Sequence, residues 1–155
     1  MGLEIERKYR VVNDSWKSAV ESESVLKQGY LVAQPEVAIR VRIDGKRAQL
    51  NIKGGMTGIS RSEYEYEIPL PDAEEIIANL VTGSLIDKTR YKVRCGEHVW
   101  DLDVFHGDNT GLVIAEIELE SETEHFQMPD WAGDEVSRDA RYLNANLIKH
   151  PYRDW

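Results

Sequence analysis

The sequence predicts a mostly antiparallel β-fold of about eight strands with a few short helices, and two observations carry that reading. Segment after segment alternates apolar and charged residues with a period of two, as a strand with one buried face does. Glycine-containing pairs, Asp44-Gly45 and Gly96-Glu97, join neighbouring segments at hairpin spacing. The 155 residues suffice for one domain with a real core. No boundary, low-complexity stretch or tandem repeat divides residues 1–155.

Taken in order, the first strand runs from Leu3 to Val12, with Glu4, Glu6 and Lys8 on one face and Leu3, Ile5 and Tyr9 on the other. Asn13, Asp14 and Ser15 offer N-caps for a short helix over Trp16 to Glu21. Strands follow at Val25 to Val32 and, past the Gln34-Pro35-Glu36 turn, at Ala38 to Ile43, where Arg40 and Arg42 alternate with Ile39, Val41 and Ile43. Arg47 to Lys53 pairs back across the Asp44-Gly45 turn. Gly54, Gly55 and Gly58 mark a flexible loop; with no GxxxxGK[ST] pattern present, it reads as a connection and not a phosphate cradle. Ser62 to Pro69 alternates Glu63, Glu65 and Glu67 with Tyr64, Tyr66 and Ile68. A helix is expected from Pro71-Asp72 to Val81, with Ile76, Ile77, Leu80 and Val81 at helical spacing and Gly83 ending it. Leu85 to Cys95 carries Lys88, Arg90, Lys92 and Arg94 on one face, and His98 to Phe105 carries Asp101 and Asp103. Leu112 to Leu119 leads Glu116, Glu118 and Glu120. A last helix is expected from Arg138 to Leu147, capped by Ser137.

Composition sets outer limits. The net charge of −9, from 19 basic and 28 acidic residues, opposes general nucleic-acid binding through a basic surface, yet leaves room for an internal basic pocket. No apolar run approaches the roughly 18 to 20 residues of a membrane span, and Glu4 and Glu6 interrupt any signal core. The single cysteine, Cys95, fits a reducing cytoplasm and sits at an apolar strand position, as a small hydrophobe would. The sequence leaves the oligomeric state open, a homodimer included.

The charged faces form one pattern across seven strands. Lys8, Arg40, Arg42, Lys53, Lys88, Arg90, Lys92 and Arg94 supply cations; Glu4, Glu6, Glu63, Glu65, Glu67, Asp101, Asp103, Glu116, Glu118 and Glu120 supply carboxylates. Like charges cluster within single strands, where neighbours repel. That cost makes sense if something lies between them: a polyanion against the cations, a divalent cation against the carboxylates. Two arrangements satisfy the pattern, an open sheet with a wet outer face or a closed barrel of about eight strands with the charges inside.

At this point the residues resemble a known family. Glu4-x-Glu6-x-Lys8, then Gln28-Gly29-Tyr30, Arg40-x-Arg42, Lys53-Gly54, Glu63-x-Glu65-x-Glu67, Lys88-x-Arg90, the Trp100 to Phe105 strand with Asp103, and Glu116-x-Glu118-x-Glu120 follow the order of the CYTH superfamily, the triphosphate tunnel metalloenzymes, in its small bacterial form. The first motif alone is weak; the ordered series is specific and covers nearly the whole chain. The resemblance implies a closed eight-stranded antiparallel barrel around a hydrophilic tunnel, with short helices packed outside. It implies Mg²⁺ or Mn²⁺ held by Glu4, Glu6, Asp103, Glu116 and Glu118, and substrate phosphates held by Lys8, Arg40, Arg42, Lys53, Lys88 and Arg90. The roles of Glu63, Glu65 and Glu120 stay open, and Lys92 and Arg94 read as rim or salt-bridge residues.

The function this implies is metal-assisted hydrolysis of inorganic tripolyphosphate to pyrophosphate and phosphate, with Glu4, Glu6, Lys8, Arg40 and Lys88 at its centre. The alternatives are a nucleoside or thiamine triphosphatase, with Trp16, Tyr30, Tyr152 or Trp155 seating the organic group, an adenylyl cyclase, or a polyphosphate-binding module without turnover. Ser60, Ser62 and the four histidines show no partner in the sequence, and Tyr30 serves equally as core or as substrate contact.

Overall fold

The computed structural model describes residues 2–155. Nine strands run as β1 (Leu3–Val11), β2 (Val20–Ala33), β3 (Val37–Asp44), β4 (Arg47–Gly54), β5 (Ser60–Ile68), β6 (Thr82–Cys95), β7 (His98–Phe105), β8 (Val113–Glu118) and β9 (Ala132–Glu135). Two α-helices, α1 (Leu70–Asn79) and α2 (Asn144–Leu147), accompany them among the described residues. The strand order β5-β4-β3-β2-β6-β7-β8-β1 closes through a β5–β1 pairing into an eight-stranded antiparallel barrel. β9 is an added strand beside β1. Among the described residues no helix is long and apolar enough to cross a membrane.

Closure relies on β1 using its second edge twice. Leu3 to Ile5 pair with Ser60 to Ser62 of β5, and then Tyr9 and Val11 pair with β9. The opposite edge of β1 runs along β8, placing Glu6 opposite Glu118 and Lys8 opposite Glu116. The two-residue parity of each strand therefore sorts charge to the inside and apolar side chains to the outside.

The outer apolar face is covered in three places. Trp100, fully buried, packs edge-on against Trp131 at 5.4 Å and tilts against Tyr9 at 5.5 Å, roofed by the chain before β9. The C-terminal segment buries Tyr142, Leu147 and Ile148 against Ile86, Phe105 and Ile114. Helix α1 lays Ala73 over Val41 and Ala48.

Several boundaries differ from the sequence expectation, each for a non-local reason. The helix expected over Trp16 to Glu21 is a 3₁₀ turn over Ser15–Ala19, because β2 begins at Val20. The Glu21-Ser22-Glu23-Ser24 run has weak strand character of its own; Ser22 to Ser24 are held in the strand by pairing with Lys92 to Arg90 of β6, and the register shifts at Glu21. β4 extends to Gly54 and β5 begins at Ser60, and the β3–β4 turn residues are Gly45 and Lys46, with Gly45 at φ +61°. Helix α1 stops at Asn79, before Val81. Gly83 does not cap it but lies inside β6 at φ +70°, where the β2–β6 register shifts. The helix expected over Arg138 to Leu147 is a 3₁₀ turn at Ala140–Tyr142 followed by the single turn α2. Asp139, not Ser137, caps that turn, accepting from the Arg141 N–H. Ser137 Oγ instead accepts from the Lys8 N–H at 2.9 Å. β9 lacks alternation and was not expected.

Trp131→Ala would unroof Trp100 and should lower the unfolding free energy by about 3 to 5 kcal/mol, read as a fall in the denaturant midpoint at unchanged slope.

Candidate active site

The polar parities of the barrel strands converge on a cavity of about 360 Å³. β1 contributes Glu4, Glu6 and Lys8, β3 contributes Arg40 and Arg42, and β4 contributes Lys53. Lys88 and Arg90 enter from β6, Asp101 from β7, and Glu116 and Glu118 from β8. Of the residues predicted for the site, all reach this cavity except Asp103, which lies fully buried directly behind it. Glu63 and Glu65 also line it. Glu67 pairs outside with Arg47, and Glu120 is exposed, its N–H donating to Glu124 Oε1 at 2.6 Å. Lys92 and Arg94 form rim ion pairs, at 2.5 Å to Asp101 and 2.6 Å to Glu21.

Asp103 organises the basic wall. Its two oxygens accept from Arg90 Nε at 2.8 Å and Nη2 at 2.9 Å, while Lys88 Nζ lies 2.8 Å from Oδ2. Burial raises its carboxyl, but Arg90 and Lys88 overcome burial and hold it down to about 2. The bidentate pair fixes the Arg90 guanidinium in plane. Lys88 is 1% exposed, and burial lowers its ammonium to about 7 against the pull of Asp103, with Arg90 adding to the lowering. Arg40 and Arg42 have no carboxylate ion pair among the described residues. Arg40 Nη1 donates to Tyr30 Oη at 3.5 Å, and Arg42 Nε donates to Gln28 Oε1 at 2.6 Å. Burial, then repulsion from Arg40 and Arg90, brings Arg42 down to about 9. This wall therefore carries positive charge that no protein carboxylate neutralises.

The acidic wall has the opposite excess. Burial raises the carboxyl of Glu6, and Glu116 and Glu4 raise it further, to well above the ordinary range. Its neighbours go the other way: against burial, Lys53 and Arg61 hold Glu4 low, and Lys8 and Arg90 hold Glu116 low. Glu6 thus stands between Glu4 and Glu116 as the carboxyl whose ionisation its surroundings oppose. Lys53 Nζ bridges Glu4 Oε2 at 3.2 Å and Glu63 Oε2 at 3.0 Å, yet Glu4 Oε2 is buried without a hydrogen bond. Among the described residues no three acidic, His or Cys side chains stand in ready-made ligand geometry. The donor chemistry nonetheless fits a hard divalent cation: oxygen donors alone, a buried Glu4 oxygen that makes no hydrogen bond, and carboxylates crowded around Glu6.

The C-terminal segment crosses one end of the tunnel and supplies contacts that the sequence did not reveal. Lys8 Nζ donates to the Tyr142 carbonyl at 3.2 Å. Asn144 Oδ1 accepts from Lys88 Nζ at 3.1 Å and from Gln28 Nε2 at 3.4 Å. One amide thus aligns Lys88 directly and Arg42 through Gln28. Arg61, 3.5 Å from Glu4 Oε2, was also not anticipated; its place on the inner face follows from the β1–β5 pairing. The aromatic candidates for an organic seat divide: Tyr30 lines the cavity, Trp16 stacks on Tyr91 outside the barrel, and Tyr152 and Trp155 pack behind the C-terminal crossing. His98 and His106 do find partners, Glu124 and Thr89, both away from the tunnel.

Comparison with known proteins agrees with this geometry. Residues 2–152 match the CYTH domain. The chain is 46% identical over 155 residues to an inorganic triphosphatase of Acetivibrio thermocellus, covering 100% of this chain and 99% of that one. It is 35% identical over 150 residues to an inorganic triphosphatase of Nitrosomonas europaea, covering 93% and 95%. The crystal structure of the inorganic triphosphatase NE1496 superposes with a TM-score of 0.67 at 32% identity, covering 94% of this chain and 93% of that one.

Asp103→Asn would leave two buried cations without their counter-charge and should cost about 3 to 5 kcal/mol at pH 7. Because folding depresses its pKa, the stability that Asp103 contributes is complete above the unfolded value of 3.8 and lost as the pH falls through about 2. The variant's deficit, followed by thermal melts across pH, should therefore shrink between about pH 4 and 2.

Proposed function

Because the chain belongs to the CYTH domain family, we propose that it is a metal-dependent inorganic triphosphatase that hydrolyses tripolyphosphate to pyrophosphate and orthophosphate inside the tunnel. The observation that carries this reading is the meeting of two opposed walls in a single cavity: guanidinium charge without a carboxylate partner at Arg40 and Arg42, and carboxylates crowded so closely at Glu4, Glu6 and Glu116 that Glu6 resists ionisation. A linear triphosphate lying between them satisfies both.

Lys8, Arg40, Arg42, Lys53, Lys88 and Arg90 bind the phosphate oxygens and neutralise charge as it shifts during transfer. Asp103 and Asn144 act as positioning residues, holding Arg90 and Lys88 in place before substrate arrives. Glu4, Glu6, Glu116 and Glu118 would hold Mg²⁺ or Mn²⁺, which when bound supplies charge neutralisation and makes water a better nucleophile. Asp103, with its oxygens already engaged by Arg90 and Lys88, supports the site from behind. A carboxylate of the acidic wall takes the proton that the water loses as its oxygen bonds to phosphorus and the P–O bond to the leaving phosphate breaks. The inorganic substrate is favoured over a nucleotide or thiamine triphosphate because Tyr30 is the one aromatic residue lining the cavity among the described residues, and its hydroxyl already meets Arg40. The free Cys95 thiol suits a reducing cytoplasm.

Phosphate release should be at least about tenfold faster from tripolyphosphate than from ATP or thiamine triphosphate, should need Mg²⁺ or Mn²⁺, and should stop with EDTA. Comparable rates on ATP, or formation of cyclic AMP, would overturn the assignment. Arg40→Ala should lower kcat/KM for tripolyphosphate by about 10² to 10³ with an unchanged circular dichroism spectrum. Glu6→Gln removes the charge whose ionisation burial and its neighbours oppose. In EDTA at pH 8 it should melt no lower than the native chain, and it should lose most of the Mg²⁺-induced rise in Tm. A full Mg²⁺ response in that variant would remove Glu6 from the ligand set.

A further inference from the structure

The tunnel does not end at the main cavity. Toward the β3–β4 hairpin a second chamber of about 290 Å³ adjoins it. Four cations, Arg42, Arg47, Arg90 and Lys92, and two carboxylates, Asp44 and Glu65, line this chamber. Three of these cations have carboxylate partners, Arg47 with Glu67, Lys92 with Asp101 and Arg90 with Asp103, which leaves Arg42 as the unpaired guanidinium whose field low-dielectric walls concentrate on small anions. Arg42, Arg90 and Glu65 line both chambers. The guanidinium of Arg42 meets no carboxylate, and its one side-chain hydrogen bond among the described residues uses Nε on Gln28.

The two ends of the tunnel are unlike. The C-terminal crossing, with Leu143 and Asn144, lies over the end formed by Pro35 and Met56. The second chamber lies at the other end of the same strands, where Asp44 and Arg47 flank the turn. Its outer cations are held by exposed ion pairs, Arg47 to Glu67 and Lys92 to Asp101, with the two cationic side chains 76% and 45% exposed; pairs this exposed contribute little, so an incoming anion can exchange with the carboxylates.

We propose that this second chamber is a separate phosphate-oxyanion site through which a product leaves. Arg42 and Arg90 face both chambers, so an anion released in the main cavity can move outward while one guanidinium contact persists, and Arg47 and Lys92 receive it at the rim. The ligand class is orthophosphate or pyrophosphate. This rests on the hydrolytic function proposed above, but the site itself is a binding property and is measured without turnover.

The test uses an Arg47→Gln/Lys92→Gln double variant, at two rim residues outside the substrate-binding set, and a Ser24→Glu variant that adds a carboxylate to the chamber wall. Calorimetric titration with orthophosphate and with pyrophosphate, each in Mg²⁺ and in EDTA, reads binding whether or not tripolyphosphate is hydrolysed. Steady-state kinetics then give KM and the product inhibition constants. Both variants should bind one of the two products about tenfold more weakly, while KM for tripolyphosphate moves less than about twofold. The native chain should show a noncompetitive component of inhibition by that product, lost in both variants, and the affected product identifies what leaves by this route. Unchanged binding of both products would overturn the proposal. So would a parallel shift of KM and inhibition constants, which would make the chamber part of the substrate bed. If the native chain fails to hydrolyse tripolyphosphate but the variants still lose product binding, the hydrolytic function falls and the anion site stands.

Discussion

The constraint on which this structure depends is the neutralisation of charge inside a closed β-barrel. A barrel of this size ordinarily fills its interior with side chains that need no water. Here the interior holds Lys8, Lys53, Lys88, Arg40, Glu4 and Asp103, each under 9% exposed. Isolated ions there would cost several kcal/mol apiece. The cost is contained by local pairing, with Asp103 serving Arg90 and Lys88 together and Lys53 serving Glu4 and Glu63 together. What is left over is the useful part. Cations at Arg40 and Arg42 lack a partner on one wall, and carboxylates around Glu6 repel on the other. Both imbalances are relieved by the same kind of ligand, a phosphate chain with its cation.

Much of this was legible in the sequence because strand parity is a local property. Once Glu4, Glu6 and Lys8 share a face, the alternation of Arg40 with Arg42 and of Lys88 with Arg90 extends the rule strand by strand. The closed barrel itself came from the ordered series of motifs, since alternation alone also fits an open sheet. The misread segments are those whose conformation is set by a distant partner. Glu21 to Ser24 is polar and weakly strand-forming, and only β6 straightens it. Arg138 to Leu147 has helical composition, but its chain bends so that the Tyr142 carbonyl meets Lys8 and Asn144 meets Lys88. No pattern within those ten residues announces either contact. Ala132–Glu135 carries no alternation because it only borders β1 along part of its edge.

Asn144 illustrates why a site residue can escape sequence reasoning. It is uncharged, lies in a one-turn helix, and acts by holding Lys88 and Gln28. Its role exists only through geometry, whereas a carboxylate or guanidinium signals its chemistry by type. Asp103 makes the complementary point. The family resemblance implied a metal ligand there, and in the structure both its oxygens meet Arg90 and Lys88.

The placement of β1 also bears on how the chain reaches its native state. Its partners are β5 and β8, and Glu6 meets Glu118. At ribosomal rates of roughly 5 to 20 residues per second, β1 waits several seconds for β8. Until then the edge that meets β8 is open, a hazard for edge-to-edge association. The charges of Glu4, Glu6, Arg7, Lys8 and Arg10 along that strand are suited to this interval, since charged side chains keep an exposed strand hydrated and oppose its burial against a second copy. The segment that later builds the acidic wall thus also protects the nascent chain, and the high sequence separation of its pairings makes barrel closure a late and slow event in folding.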